Sequence, residues 1–405
     1  MRLGTHARRW SARGVAAVVP LASAGVLLAS AGTEAAASTA RATTMPAAVA
    51  GTPPVTNPYA PAYHHPYRHG AVPTRAAAAR MAAWARQHPG AATASPAAQA
   101  PSAVPLRYGG GVGGIGVTTG RAKVYLVFFG SQWGTKGRNS QGYVTLSGDT
   151  AGEAPYLQRM FKGLGTNRER WSGVMTQYCQ GIPAGRRSCP ASAPHVRFPR
   201  GGVLAGVWVD KRAKSPAQAT GHRLGREAVD AAAHFGNTTA ASNRNTQYVI
   251  LSPRGTDPDR YQEQGFCAWH DWNGDTFLSG GPVPSTHGHI AFTNMPYVTD
   301  MGRACGTNFV RSGASGKLDG VSIVSGHEYA ETLTDQNPPG GWIDSRGQEN
   351  ADKCAWRRPG KTGGAAVLHL STGNFAMQGT WANDVGSGAG GCRFTHSIVS
   401  TRAAG

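Results

Sequence analysis

The chain has 405 residues, of which 40 are Lys or Arg and 21 are Asp or Glu, so its formal net charge is +19. Such an excess of positive charge predicts attraction to anionic polymers. Nucleic acid is not expected among them, because the charge is scattered and the sequence has neither a basic helix with interleaved aromatic residues nor the signature of a nucleic-acid module. We therefore expect an anionic cell-wall polymer as the charged partner.

Residues 1–37 have the pattern of a secretory signal peptide. Four arginines flank the start of an apolar run from Val15 to Leu28, and Ala35, Ala36 and Ala37 supply the small residues of a cleavage site. The run contains Pro20 and is shorter than the ~18–20 apolar residues that a membrane span needs. The pattern predicts a secreted, extracellular protein without a stable membrane anchor.

Residues 38–105 are dominated by Ala, Pro, Thr and Ser, and we expect them to form a disordered linker or pro-segment. A segment of this composition buries too little apolar surface to offset the entropy lost on ordering. One stretch, Arg75–Gln87, has high helix propensity and predicts a short helix. The histidines His64, His65 and His69 are interpreted as incidental, since a histidine cluster in a Pro-rich tail is seldom a metal site.

The cysteine pattern predicts disulfides, as expected in an oxidising compartment. The six cysteines are Cys179, Cys189, Cys267, Cys305, Cys354 and Cys392. Their even number and the absence of a C-x-x-C pair favour three disulfides over a thiolate metal site. Cys179 and Cys189 are the safest local pair, because the glycines and proline between them suit a closed loop. The remaining connectivity is open.

Residues 106–405 have regular apolar runs and are expected to form a single globular domain. The predicted strands are Lys123–Gly130, Val203–Asp210, Gln247–Ser252 and a short edge strand, His289–Asn294. The predicted helices are Ala154–Gly163, Ala217–His234 and Asp319–Thr334. This order of elements predicts an α+β fold with a mixed sheet.

The last predicted helix carries the pattern H-E-x-x-E, formed by His327, Glu328 and Glu331. At about 100° per residue, these three side chains and Asp335 share a quarter of the helix circumference. Apolar residues lie close to the same face, so the cluster is not simply solvated. A bare buried group of three carboxylates and one histidine would be costly, and a metal cation is the usual remedy.

The pattern H-E-x-x-E differs at one position from the H-E-x-x-H of zinc peptidases. By that resemblance His327 and Glu331 are metal ligands, and Glu328 is the catalytic general base for the attacking water. Zn²⁺ is the expected cofactor, since zinc accepts carboxylate oxygen. The additional carboxylate moves the site towards harder ions, which makes Ca²⁺ the alternative.

The remaining ligands are predicted from residues that follow the helix. The arrangement resembles that of the glutamate zincins, which implies that Glu349 is the third ligand and Asp352 an outer partner that orients the site. Asp335 is the competing third ligand. The resemblance also implies a zincin-like N-terminal part of the domain, followed by an irregular, disulfide-bonded C-terminal part.

A second resemblance rests on short motifs dispersed from residue 104 to the C-terminus. They are Gly265-Phe266-Cys267, His270, Pro296-Tyr297, Cys305-Gly306, Leu318-Asp319-Gly320, Ser325-Gly326-His327-Glu328, Trp342, Glu349 to Cys354, Asn374-Phe375 and Gln378 to Trp381. In these motifs the chain resembles the plant EXORDIUM (phosphate-induced protein) family. The resemblance implies a secreted, cell-wall-associated protein without an assigned reaction. The chain lacks the second cysteine and glycine that members tend to show just before His270, so no role is carried over to this histidine.

Two functions from different classes follow. The leading hypothesis is a secreted metal-dependent hydrolase, a zincin-like metallopeptidase that acts on an extracellular polypeptide. The predicted edge strand His289–Asn294 would pair with such a substrate, as sheet edges do with extended peptides. The alternative is a non-catalytic, cell-wall-associated protein of EXORDIUM type, in which the same cluster holds a structural metal.

Overall fold

The computed structural model describes residues 56–88 and 104–399. The predicted signal peptide, residues 1–37, lies outside the described residues, as does part of the predicted linker. Within these two ranges no helix is long and apolar enough to cross a membrane.

The described residues form fourteen strands and six α-helices, joined by loops and short 3-10 helices. In chain order the strands are β1 His69–Pro73, β2 Arg107–Tyr108, β3 Lys123–Phe129, β4 Lys136–Arg138, β5 Val144–Leu146, β6 Leu204–Asp210, β7 Thr246–Leu251, β8 Phe266–Trp272, β9 Ala291–Met295, β10 Trp342–Ile343, β11 Ala366–Leu370, β12 Gly373–Met377, β13 Thr380–Ala382 and β14 Gly391–Arg393. The helices are α1 Arg75–Gln87, α2 Glu153–Gly163, α3 Gly221–His234, α4 Ala240–Asn243, α5 Tyr261–Gln264 and α6 Asp319–Thr334.

Six of the strands form a mixed sheet in the order β1-β8-β9-β7-β3-β6. Strands β9, β7, β3 and β6 run parallel, whereas β8 is antiparallel to β9, and β1 is antiparallel to β8. The predicted α+β fold is therefore confirmed. The four parallel strands make up two thirds of the sheet, and the antiparallel pair β1 and β8 forms its other edge.

Both faces of the sheet are covered, which explains the continuous apolar runs of its central strands. In β3, Leu126 and Phe128 join the apolar core on the side of α6, while Val127 and Phe129 join the core on the side of α3. Every residue of α6 is buried, including its charged ones. The helix with the H-E-x-x-E pattern therefore lies inside the protein, with no solvated face to accommodate its carboxylates.

The element predictions succeed for helices α6 and α1 and fail around β8. Helix α6 begins and ends at the predicted residues, as does α1. No strand is predicted for the residues of β8, where His270 and Asp271 interrupt the apolar pattern. The predicted edge strand is wrong: β9 is internal, since β8 folds back beside it and β1 pairs beyond β8. An extended substrate cannot pair with β9.

The prediction of a disordered segment over residues 38–105 is wrong for residues 56–88. These residues form β1 and α1, and Val72 and Met81 are buried in the domain. Arg68 pairs with Asp259 at 2.8 Å, with both side chains buried. The prediction used the average composition of the whole segment, which does not reveal one short stretch with a few apolar residues. These residues and the hydrogen bonds of β1 suffice to dock the stretch on β8.

Three disulfides use all six cysteines, as predicted. The local pair Cys179–Cys189 is confirmed, and the others are Cys267–Cys305 and Cys354–Cys392. The second disulfide begins on β8, close to His270, and the third holds the turn that follows Glu349. The disulfides thus brace two segments that contribute to the site described next. Such bonds are typical of proteins in oxidising, extracellular environments.

Candidate metal centre

The centre is organised by His327 and Glu331, which lie one helical turn apart on α6. The Nε2 atom of His327 and the Oε2 atom of Glu331 are 3.0 Å apart, and both side chains are fully buried. The other carboxylate oxygen of Glu331 accepts hydrogen bonds from the backbone N–H groups of Ala351 and Asp352, at 3.2 and 2.8 Å. These bonds fix the carboxylate so that Oε2 faces the histidine.

The predicted residues Glu349 and Asp352 lie in the same centre. Oδ1 of Asp352 is 3.6 Å from Nε2 of His327, and its Oδ2 accepts a hydrogen bond from the N–H of Glu349 at 3.1 Å. A single turn thus brings both carboxylates to the helix. Asp335 instead accepts a hydrogen bond from the N–H of Gly341 at 2.6 Å. Its oxygens are not among the donor atoms that converge with those of His327 and Glu331.

His270 on β8 is a member of the centre that sequence reasoning missed. Its Nε2 lies 3.2 Å from both carboxylate oxygens of Glu349 and 3.9 Å from Oε2 of Glu331. The sequence signal was the run Phe266–Trp272, whose aromatic residues favour a strand. Only the pairing of that strand beside β9 reveals that His270 faces the helix.

Two groups of donor atoms converge and share Glu331. One contains His270, Glu331 and Glu349, the other His327, Glu331 and Asp352, and within each group the donor atoms lie within 4.8 Å of one another. Imidazole nitrogen and carboxylate oxygen are ordinary zinc ligands, and the carboxylates also suit manganese or calcium. Oε2 of Glu331 is buried and faces Nε2 of His327 at 3.0 Å without a well-aligned hydrogen bond. The residues present therefore fit a bound divalent cation.

The electrostatics agree with a site built for a cation. Burial, followed by repulsion from Glu331 and Asp352, raises the pKa of Glu349 well above its ordinary value. Burial lowers the pKa of His270 to about 4, so this ring is neutral at physiological pH. For His327, burial opposes the charge, but the attraction of Glu331 and Asp352 outweighs it and raises the pKa well above the ordinary value.

Gln378 orients His327 from the side remote from the carboxylates. The Nδ1–H of His327 donates to Oε1 of Gln378 at 3.1 Å, and the amide of Gln378 in turn donates to the carbonyl of Ala351 at 2.8 Å. A fixed Nδ1 proton leaves Nε2 free to bind a metal, which is the usual role of such outer partners. The motif Gln378 to Trp381 entered the sequence analysis only as part of a family resemblance.

Glu328 is buried close enough to the same centre for its carboxylate to interact with the charges of the centre's residues. It is 1% exposed, and neither of its oxygens accepts a hydrogen bond from any described residue. Burial, together with repulsion from Glu331, Asp352 and Glu349, raises its pKa well above the ordinary value, despite attraction by His327. A buried carboxylate without a donor is costly, so its retention here calls for a function.

Strand β1 closes the centre from the sheet edge. The carbonyl oxygen of Gly70 lies 3.0 Å from Nε2 of His327, the nitrogen that would bind a metal. Gly70 has φ +54°, and a Cβ at this position would collide with Oε2 of Glu331. Only glycine permits this approach, which occurs where the pairing of β1 with β8 is irregular, between His69 and Val72.

Comparison of the chain with family models, curated proteins and solved structures finds no match.

Proposed function

We propose that the protein is a secreted metal-dependent hydrolase, a zincin-like metallopeptidase with zinc as its ion and an extracellular polypeptide as its substrate. The observation that carries the proposal is Glu328. Its carboxylate is buried beside the candidate ligands and accepts no hydrogen bond. A general base needs an oxygen that is free to take a proton, whereas a purely structural site has no use for one.

In this proposal His270, His327, Glu331 and Glu349 hold the ion, and Asp352, whose Oδ1 also faces Nε2 of His327, is the alternative ligand. When bound, the ion would supply Lewis acidity towards the substrate carbonyl and the attacking water. Glu328 accepts the proton of that water and delivers it to the leaving amine. Gln378 keeps the Nδ1 proton of His327 in place throughout, so that the ring presents the same nitrogen to the centre.

Strand β1 makes the described form a latent one in this proposal. The side chains of the centre are at most 7% exposed, namely His270, His327, Glu328, Glu331, Glu349 and Asp352. Moreover, the Gly70 carbonyl takes the Nε2 atom of His327 that the ion needs. Withdrawal of β1 would uncover the centre and leave β8 as the sheet edge, whose backbone groups could then pair with an extended peptide.

The alternative is a non-catalytic wall-associated protein of EXORDIUM type with a structural metal site. The observation that favours it is the same complete burial, because structural sites are closed and catalytic sites keep an open position. The net charge of +19 suits adhesion to an anionic cell-wall polymer in either case.

Metal analysis and a proteolysis assay separate the two functions. The full chain is loaded with ZnCl₂ and assayed on an unfolded polypeptide, before and after cleavage at a specific protease sequence placed within residues 89–103. We expect hydrolysis after cleavage, abolished by Glu328→Gln without loss of zinc. Glu227→Gln is the matched control, since Glu227 is a buried carboxylate without donors on α3, outside the centre.

Two results would overturn the proposal. Absence of stoichiometric metal, with Glu331→Ala folding normally, would remove both the enzyme and the structural site. Stoichiometric zinc in a chain that hydrolyses nothing before or after cleavage would leave the structural site alone.

A further inference from the structure

A second convergent group of donor atoms lies on the other face of β8. It consists of His69 from β1, Asp271 from β8 and Asp275 from the turn after β8, whose donor atoms lie within 4.8 Å of one another. Asp271 pairs with Phe292, which belongs to the apolar core on the side of α3, whereas His270 faces α6. Consecutive strand residues point to opposite faces, so this group is separate from the centre at His327.

Backbone hydrogen bonds aim the two carboxylates at each other. Oδ1 of Asp271 accepts from the N–H of Trp272, and Oδ1 of Asp275 from the N–H of Phe277, both at 2.8 Å. The two Oδ2 atoms are buried and accept no hydrogen bond from any described residue. Nε2 of His69 lies 3.5 Å from Oδ2 of Asp275.

The two carboxylate oxygens without donors need either a proton between them or a cation. Asp271 is fully buried, which makes a bare charge there especially costly. A shared proton would satisfy the carboxylates and leave His69 in contact with Asp275 alone. An imidazole nitrogen beside two carboxylate oxygens is instead a donor set that suits zinc or manganese.

We propose that His69, Asp271 and Asp275 form a second binding site for a divalent transition metal. The site joins β1 to β8, because His69 belongs to the first strand and Asp271 to the second. Its occupation stabilises β1 on the sheet edge by binding only the docked arrangement. His69 directly precedes Gly70, so an ion here also holds the strand that covers the first centre. The site itself stands whether or not the first centre is catalytic.

Metal stoichiometry in the full chain tests the site. The protein is stripped with a chelator, equilibrated with ZnCl₂ or MnCl₂, passed through a desalting column and analysed for metal. Glu331→Ala removes the ligand that both donor groups of the first centre share. In this background we expect one equivalent of metal per chain to remain. Adding Asp275→Asn should abolish it, while the control Asp230→Asn, a partly exposed carboxylate on α3, should leave it unchanged.

His69→Ala provides a second variant, because this side chain is partly exposed and its removal disturbs the fold least. We expect His69→Ala to weaken metal binding at least tenfold in the same background. The proposal is overturned if Glu331→Ala retains no metal, or if Asp275→Asn and His69→Ala leave the retained metal unchanged. Failure of the first centre alone would give a different result. The wild-type chain would then bind a single equivalent of metal, which Glu331→Ala would leave unchanged and Asp275→Asn would remove.

Discussion

The carbonyl oxygen of Gly70 lies 3.0 Å from Nε2 of His327, across 257 residues of sequence. The contact places the backbone of β1 against the nitrogen of His327 that would bind an ion in the candidate metal centre. It contributes to closing the donor atoms of that centre to solvent.

Gly70→Ala tests the contact directly. The added Cβ would meet Oε2 of Glu331, and φ +54° is strained for alanine. We expect β1 to be displaced and the free energy of unfolding to fall by about 1–3 kcal/mol. We also expect a faster exchange of bound zinc with a chelator.

Gly114→Ala is the matched control, because this glycine has φ +79° but open space around its Cβ position. Gly114→Ala therefore places alanine at a strained positive φ but causes no steric collision. Unfolding by urea gives the stability of each variant. Equal stability and equal zinc exchange in the two variants would contradict the role given to Gly70.

Gln378→Leu should weaken metal binding without unfolding the protein. The variant leaves the Nδ1–H of His327 without its acceptor and frees the ring to change its orientation. Loss of such an outer partner lowers metal affinity by about 10–100-fold. Competition with a zinc chelator measures the affinity, and Gln336→Leu is the control, since Gln336 is buried but bonds with Thr118 and Arg244 instead. Equal affinity in the two variants would exclude an orienting role for Gln378.

Asp259→Ala should release the N-terminal segment. Asp259 accepts hydrogen bonds from Tyr67, Arg68 and Trp269, so its removal leaves the buried guanidinium of Arg68 without a carboxylate partner. Breaking a buried ion pair in this way costs about 3–5 kcal/mol. We expect a protease to cut residues 56–88 faster in this variant.

The exposed pair Arg260–Glu263 provides the control for Asp259→Ala. Both side chains of this pair are 55% exposed, and Glu263→Ala should change stability by less than about 1 kcal/mol. If Asp259→Ala behaves like Glu263→Ala in urea unfolding and in proteolysis, the ion pair does not anchor the segment.

Glu153 should make stability fall as the pH rises. Burial raises its pKa from 4.5 to about 8, despite hydrogen bonds from Thr299. The native state then holds a proton that the unfolded chain releases above pH 4.5, so the stability contributed by the neutral carboxyl is complete below that pH. This contribution decreases up to about pH 8 and is lost beyond it. The loss is at most about 5 kcal/mol.

Glu153→Gln removes the titrating proton and keeps an oxygen that can accept from Thr299. Relative to the wild type, the variant should gain stability at pH 9 compared with pH 5, as measured by urea unfolding at both values. A constant difference between the two proteins across this range would show that Glu153 ionises in the native state near its ordinary pKa.

The sequence by itself determined the features that depend on local order. The start and stop signals of a helix predicted α6 from Asp319 to Thr334, and helix geometry placed His327, Glu328 and Glu331 on one side of it. The even number of widely spaced cysteines predicted three disulfides, all of which are present. Glu349 was also found, although only through resemblance to a known arrangement.

The tertiary structure alone decided which strands close the site. His270 is polar within a strand whose burial arises from its neighbours β1 and β9, so no local pattern marked it as part of the centre. Gly70 lay in a segment whose overall composition predicted disorder, because the apolar contacts that order it come from distant parts of the chain. Long-range pairing, not local propensity, brings this glycine to His327 and His69 to Asp275.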